Sequence, residues 1–175
     1  VQNTVRFDEA VALDAGLVLR QLDAVLEDIP PDAVKTGALG SAAVVEAVAS
    51  RAGAFRCPLV VDPVMASSRG GALLADDARA ALARSLLPHA TLVTPNLAEA
   101  AVLAALAGGA NELAVRVTPG GPGAPPGGPS RSGDDAAIAD IKAMERAARA
   151  IARLGPRAVL VKGGTVHTAF RGERK

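Results

Sequence analysis

Short runs of branched apolar residues alternate with longer segments of helical periodicity along most of this chain. In the runs Leu59-Val60-Val61 and Val159-Leu160-Val161, no polar residue separates the apolar ones, which is typical of strands covered on both faces. Strands that alternate with helices form parallel sheets joined by helical crossovers. The pattern therefore predicts an α/β fold, a mostly parallel sheet between helix layers, with strands at 33–36, 58–62, 90–94, 158–162 and 166–170.

Capping residues and apolar stripes indicate five helices between these strands. Ser41 is a candidate N-cap for a helix that ends near Gly53. The other predicted helices run over 14–28, from Asp76 or Asp77 to just before Pro88, over 97–108, and from Asp134 or Asp135 to Gly155-Pro156. One stretch does not fit the pattern: 11 of the 16 residues in 118–133 are Gly or Pro. We expect this stretch to be a disordered surface insertion without a function of its own, within a single domain.

Composition and charge narrow the class of protein. Half of the 175 residues are apolar but 2% are aromatic, so we expect a thin core of Ala, Val and Leu. A net charge of +1 argues against a polybasic nucleic-acid binder, and the uncharged stretches are too short or too polar to span a membrane. The lone Cys57 cannot form an internal disulfide. Because the chain opens with Val1 and no signal pattern follows, we expect a fragment of a soluble, intracellular protein.

Polar residues follow four of the predicted strands. The strand ends carry Lys35-Thr36-Gly37, Asp62-Pro63, Thr94-Pro95-Asn96 and Lys162-Gly163-Gly164. Because parallel strands end at the same edge of a sheet, these residues are expected to converge although they are far apart in sequence. The simplest functional interpretation is one site assembled from four loops, in which Lys35, Asp62, Asn96 and Lys162 meet on a common rim.

Each of these features also has a purely structural interpretation. Asn96 and Glu99 could cap the helix over 97–108, and Asp62-Pro63 and Lys162-Gly163-Gly164 could be ordinary turns. No P-loop motif occurs, and the glycines of 118–133 complete no dinucleotide-binding motif. His89 and His167 are isolated, so no zinc site is expected, and Cys57 is expected to be a buried small residue.

Seven segments of the chain, taken together and in order, resemble a known family. The segments are Val1-Gln2-Asn3-Thr4, Gln21-Leu22-Asp23-Ala24-Val25, Asp32-Ala33-Val34-Lys35-Thr36-Gly37-Ala38-Leu39, Val60-Val61-Asp62-Pro63-Val64-Met65, Leu86-Leu87-Pro88, Val93-Thr94-Pro95-Asn96-Leu97-Ala98-Glu99-Ala100, and Gly155-Pro156-Arg157-Ala158-Val159-Leu160-Val161-Lys162-Gly163-Gly164. They are similar to the hydroxymethylpyrimidine/phosphomethylpyrimidine kinases of thiamine biosynthesis. These enzymes belong to the ribokinase-like superfamily, which also contains pyridoxal kinases. The resemblance implies a ribokinase-like three-layer sandwich.

The resemblance also implies a reaction and its ligands. The γ-phosphoryl group of ATP would pass to the hydroxymethyl group of 4-amino-5-hydroxymethyl-2-methylpyrimidine, and a second one to the monophosphate. Gln2 would face the pyrimidine, and Gly37, Ala38 and Val64 would line its pocket. The family usually has methionine where this chain has Ala38, so the resemblance implies a roomier pocket here.

On the nucleotide side, the resemblance places five residues. Asp62 would lie near the phosphates, Thr94 would hydrogen-bond phosphate oxygens, and Lys162 would be a lysine of the nucleotide site. Asn96 and Glu99 would hold magnesium through water, which suits a hard cation that keeps several waters. The cofactors implied are therefore ATP and Mg²⁺.

Parts of the family pattern are missing at both ends. The upstream strand with its glycine-rich loop and the downstream G-T-G-C anion-hole motif are absent, and Cys57 lies in the wrong place to replace that cysteine. We therefore expect a fragment that is inactive by itself, and we assign no catalytic residue in it. The resemblance leaves open a homodimer, a cytoplasmic or plastid location and a fused thiamine phosphate synthase domain. The alternative functions are a pyridoxal kinase, a non-catalytic ligand-binding relative and an inert structural domain.

Overall fold

Helices and strands follow one another in the predicted order in the computed structural model, which describes residues 8–66, 73–108 and 141–163. The elements are α1 (Ala15–Asp28), β1 (Val34–Thr36), α2 (Ala42–Ala52), β2 (Leu59–Val61), α3 (Asp76–Ala81), β3 (Leu92–Val93), α4 (Leu97–Leu106) and α5 (Ile141–Ala152). The predicted strand at 166–170, the Gly/Pro-rich segment at 118–133 and His167 lie outside the described residues.

The three strands form a parallel sheet in the order β1-β2-β3. Thr36 pairs with Val61, and Val61 pairs with Val93, so the carboxyl ends of the strands lie side by side. The predicted strand at 158–162 is an extended segment beside β3, joined to it by parallel bridges from Val93 to Val159 and from Asn96 to Lys162. The predicted α/β fold with a parallel sheet is confirmed.

The core consists of aliphatic side chains, as the scarcity of aromatic residues predicted. In the described part of the chain, the buried hydrophobic residues are Ala, Val, Leu, Ile and Met. The helices contact one another in two groups, one of α1, α2 and α3 and the other of α4 and α5. Among the largest fully buried side chains are Leu59, Leu82, Leu86, Leu103 and Ile151.

The helix predicted to run up to Pro88 is less regular than expected. The α-helical part, α3, ends at Ala81 and continues as a π-helical turn (Leu82–Leu86) and a 3₁₀ turn (Leu87–His89). The wider π turn joins the backbone N–H of Leu87 to the carbonyl of Leu82 and brings these two leucines, five residues apart, to the same buried side. Pro88, which has no N–H, then precludes a further α-helical turn.

Cys57 and His89 both lie outside the sheet. Cys57 is half-buried rather than buried, because it lies in the loop before β2 and not within the strand. His89 is exposed at the end of the 3₁₀ turn. None of the helices in the described ranges has the length and apolar character that a bilayer crossing requires.

Candidate functional site

The carboxyl edge of the sheet is held together by lateral backbone hydrogen bonds. The N–H of Asp62 donates to the carbonyl of Thr36 (3.2 Å), that of Thr94 to Val61 (3.0 Å), and that of Lys162 to Pro95 (2.7 Å). Each bond links the residue after one strand to the end of its neighbour. The backbone therefore brings the four predicted strand ends into one row, although Asp62 and Lys162 are 100 residues apart.

Asp62 lies at the centre of this row and accepts a hydrogen bond from a lysine on each side. The Nζ of Lys162 lies 2.9 Å from Oδ1, and the Nζ of Lys35 lies 3.2 Å from Oδ2. The side chain of Asp62 is 19% exposed, whereas those of Lys35 and Lys162 are 62% and 45% exposed. An ammonium has three N–H donors, so each lysine can bind Asp62 and still donate a hydrogen bond to an anionic ligand.

These ion pairs control the protonation of Asp62. Partial burial alone favours the neutral acid, but the hydrogen bonds from Lys162 and Lys35 outweigh it and hold the pKa of Asp62 below its usual value. Asp62 is therefore ionised at neutral pH. The position of Lys35 on this rim follows from the sequence pattern, but its pairing with Asp62 across two strands has no local sequence signal.

Asn96 and Glu99 form a complete capping box at the start of α4. The backbone N–H of Glu99 donates to Asn96 Oδ1 (2.9 Å), and the backbone N–H of Asn96 donates to Glu99 Oε2 (2.8 Å). The pair therefore caps α4, which is the purely structural role that the sequence left open. A further role in ligand binding would come in addition to this capping. Glu99 also accepts a backbone hydrogen bond from Met65, which follows β2.

Glu99 is an unusual carboxyl group because only 6% of the residue is exposed. Burial raises its pKa above the usual value, against the opposing effects of the backbone hydrogen bonds from Asn96 and Met65 and of the nearby Lys162 charge. The charge of Asp62 acts in the same direction as burial. Glu99 and Asp62 thus belong to one electrostatic cluster in which their pKa values shift in opposite directions.

These residues fit a magnesium ion held through water better than one held directly. Among the described residues, no group of three or more His, Cys, Asp or Glu side chains could form a metal cage. The Asn96 and Glu99 oxygens already accept backbone N–H groups, although a carboxylate has further lone pairs. Magnesium commonly keeps several waters and is held by one or two carboxylates together with substrate phosphates.

Two of the predicted substrate residues, Gly37 and Ala38, follow β1 directly. Ala38 lines a cavity of about 790 Å³ with Leu13, Val18, Leu39, Val44 and Leu74, and Glu9 alone among its described lining residues is charged. Gly37 has open space where a side chain would stand. Val64 lies outside this lining, in a tight turn where its N–H donates to the Asp62 carbonyl (2.8 Å). Gln2 lies outside the described residues, and Thr94 is half-buried after β3.

Comparison with known sequences identifies the family. The profile of the family described as phosphomethylpyrimidine kinase matches residues 1–116. A hydroxymethylpyrimidine/phosphomethylpyrimidine kinase from Synechococcus elongatus is 37% identical over 171 residues, which is 98% of this chain and 54% of that protein. The chain thus spans about half the length of the curated relatives it matches.

Solved structures of related kinases share the fold. The phosphomethylpyrimidine kinase from Clostridium difficile is 29% identical, with a TM-score of 0.66 over 98% of this chain and 60% of that one. The pyridoxal kinase from Staphylococcus aureus, solved in complex with AMP-PCP and pyridoxal, is 29% identical, with a TM-score of 0.61 over 87% of this chain and 43% of that one.

Proposed function

Since this chain belongs to the phosphomethylpyrimidine kinase family, we propose that the complete protein phosphorylates 4-amino-5-hydroxymethyl-2-methylpyrimidine and then its monophosphate, with ATP, in thiamine biosynthesis. The observation that carries this proposal is the row of strand ends, in which Asp62 joins Lys35 and Lys162 and Lys162 pairs in register with Asn96. Phosphoryl transfer depends mainly on positioning and on neutralising negative charge. This edge offers charged and hydrogen-bonding groups for both.

The nucleotide would lie on the β3 side of Asp62. Lys162 would exchange its bond to Asp62 for the phosphates of ATP, and Thr94 would donate its hydroxyl hydrogen to a phosphate oxygen. An ammonium supplies a compact charge with three donors, so it can move from a carboxylate to a phosphate without leaving this site. Lys162 thereby offsets charge that develops on the transferring group.

Asp62 and Glu99, with Asn96, would hold Mg²⁺ through its water ligands. Magnesium held there would supply positive charge that offsets the negative charge of the phosphates. Asp62 suits this role because its pKa is lowered and it is ionised at neutral pH. Glu99 suits it differently: its backbone hydrogen bonds fix the carboxyl group at the start of α4, beside Lys162.

The pyrimidine would lie on the β1 side, where Gln2, Gly37, Ala38 and Val64 remain our proposed contacts. An amide such as that of Gln2 can pair with a ring nitrogen and an exocyclic amine together. The aliphatic cavity beside Ala38 offers apolar walls to a flat ring. Because Ala38 has a small side chain, we propose that this pocket tolerates larger ring substituents.

Pyridoxal kinase activity is the second candidate, because the solved pyridoxal kinase shares this fold and binds a related ring alcohol. The deciding experiment gives the purified complete protein the pyrimidine alcohol, its monophosphate and pyridoxal, each with magnesium and ATP, and measures kcat/KM from ADP release. We expect both pyrimidines to exceed pyridoxal by at least about tenfold. A preference for pyridoxal would refute the proposed function.

A pair of matched variants tests the site itself. Asp62→Asn is expected to lower kcat by about 10²-fold or more, as is common when an electrostatic group beside the reacting atoms is lost. Asp32→Asn makes the same change in an exposed residue before β1, at the opposite edge of the sheet, and should leave kcat unchanged. Equal activities in the two variants would contradict the proposed site. The homodimer stays a prediction, which light scattering of the purified protein tests.

A further inference from the structure

The two lysines that bind Asp62 lie on opposite sides of it and next to different parts of the site. We propose that Lys35 binds the phosphate of the phosphorylated substrate and so selects the monophosphate for the second phosphorylation; this inference rests on the proposed function. The group recognised is a phosphate monoester carried by a small aromatic ring.

The position of Lys35 in the chain supports this assignment. Lys35 is on β1, and the chain leads from it directly to Ala38 and Leu39, which line the aliphatic cavity. Three residues span at most about 11 Å, so this lysine and the cavity wall are close neighbours. Lys162 is on the other flank, bridged to Asn96 and electrostatically coupled to Glu99. Lys35 therefore belongs to the flank of the site that carries the proposed substrate contacts Gly37 and Ala38, and Lys162 belongs to the flank of Asn96.

The charge of the two successive substrates supports it further. The pyrimidine alcohol has no charge at its reacting group and needs no cation there, whereas a phosphate monoester carries about −1.5 to −2 at pH 7. The Lys35 side chain is 62% exposed, and its bond to Asp62 occupies one of the three N–H donors of an ammonium. Lys35 can thus stay on Asp62 and still donate to a phosphate.

The second phosphorylation is balanced without further reactants. An oxygen of the bound monophosphate forms a bond to the γ-phosphorus of ATP, while the bond from that phosphorus to the β–γ bridging oxygen breaks. ADP leaves and the pyrimidine diphosphate forms. A dianionic phosphate loses no proton in this step, whereas the alcohol of the first step releases its hydroxyl proton. A cation beside the phosphate would offset the repulsion between two phosphorylated reactants.

The test compares two substrates in four forms of the complete protein: wild type, Lys35→Met, Lys35→Arg and Arg56→Met. Arg56 is an exposed cation before β2, at the edge opposite Asp62, so Arg56→Met removes the same charge elsewhere. For Lys35→Met we expect kcat/KM to fall about 10- to 100-fold more for the monophosphate than for the alcohol, the range for one charge-assisted hydrogen bond. Lys35→Arg should keep most of the wild-type ratio between the kcat/KM values for the two substrates. Arg56→Met should leave kcat/KM unchanged for both substrates.

A binding measurement without ATP separates recognition from catalysis. Calorimetric affinity for the monophosphate should weaken by a similar factor in Lys35→Met. In the wild type that affinity should rise with pH through about 6, where the phosphate loses its second proton, and this rise should be smaller in Lys35→Met. Lys35→Gln keeps a polar side chain and replaces Lys35→Met if the latter does not fold.

The outcomes distinguish this inference from the proposed function. If the wild type phosphorylates both pyrimidines but Lys35→Met lowers both equally, Lys35 only supports Asp62 and the inference is wrong. Unchanged affinity for the monophosphate in Lys35→Met would also overturn it. If the wild type phosphorylates neither pyrimidine, the proposed function fails and the inference fails with it.

Discussion

The ion pairs of Asp62 contribute to the free energy of unfolding by an amount that can be predicted from their geometry and exposure. Asp62→Asn removes the charge that accepts from Lys162 at 2.9 Å and from Lys35 at 3.2 Å, and it leaves two ammonium groups near each other. Exposed ion pairs contribute about 0.2–1 kcal/mol each, and hydrogen bonds to charged groups about 1.5–3 kcal/mol. Since both lysines are about half exposed or more, we expect a loss of about 1–2 kcal/mol in the free energy of unfolding.

A double-mutant cycle isolates the stronger pair. Urea unfolding of the complete protein is measured for the wild type, Asp62→Asn, Lys162→Met and the double variant. The expected coupling free energy is about 1 kcal/mol near pH 7, and it should decrease in high salt. The same cycle with Lys35→Met should give about half as much, because this pair is longer and more exposed.

The sign of the pH dependence provides an independent check. Because the pKa of Asp62 is lower in the folded protein than in the unfolded chain, the carboxylate contributes fully to stability above the unfolded pKa of about 3.9. This contribution is lost as the pH falls through the folded pKa. The difference in stability between wild type and Asp62→Asn should therefore shrink below about pH 4. A coupling free energy of zero, or one unaffected by salt and acid, would refute the described ion pairs.

Three further variants test the site and its supports. Asn96→Ala should lower the free energy of unfolding by about 1 kcal/mol, because it removes the cap of α4. Asn96→Ser keeps a capping oxygen. If this second variant retains the stability of the wild type but weakens the dependence of activity on magnesium, Asn96 acts as more than a cap. Glu99→Gln should match or exceed wild-type stability at pH 7, because burial raises the pKa of Glu99 and its ionised form opposes folding. Any difference in stability should vanish below about pH 4, where the wild-type carboxyl group is neutral in both states. A variant less stable than the wild type at pH 7 would contradict the raised pKa. Gly155→Ala should lower the free energy of unfolding by about 1–3 kcal/mol, because φ of Gly155 is +105° and an added Cβ would lie 3.0 Å from the backbone of Pro88. Gly53→Ala, at φ −67°, is the matched control.

Much of the local structure could be predicted from the sequence. The uninterrupted apolar run around Val60 identified β2, and Ser41 and Asn96 marked helix starts that both carry side-chain caps. These signals are local: a strand covered on both faces needs consecutive apolar residues, and a helix start needs an acceptor for its free N–H groups. The irregular end of α3 escaped prediction, because the burial of both Leu82 and Leu87 depends on what packs around them.

The sequence by itself determined the parallel α/β fold and the residues that follow each strand, since both depend on residue type and spacing along the chain. Only the tertiary structure decided that Asp62 binds Lys35 through one carboxylate oxygen and Lys162 through the other, and that residues following β1 line an aliphatic cavity together with residues of α1 and α2. The physical reason is that strand register places side chains from distant segments within 3 Å or so of each other, and no local pattern encodes that register.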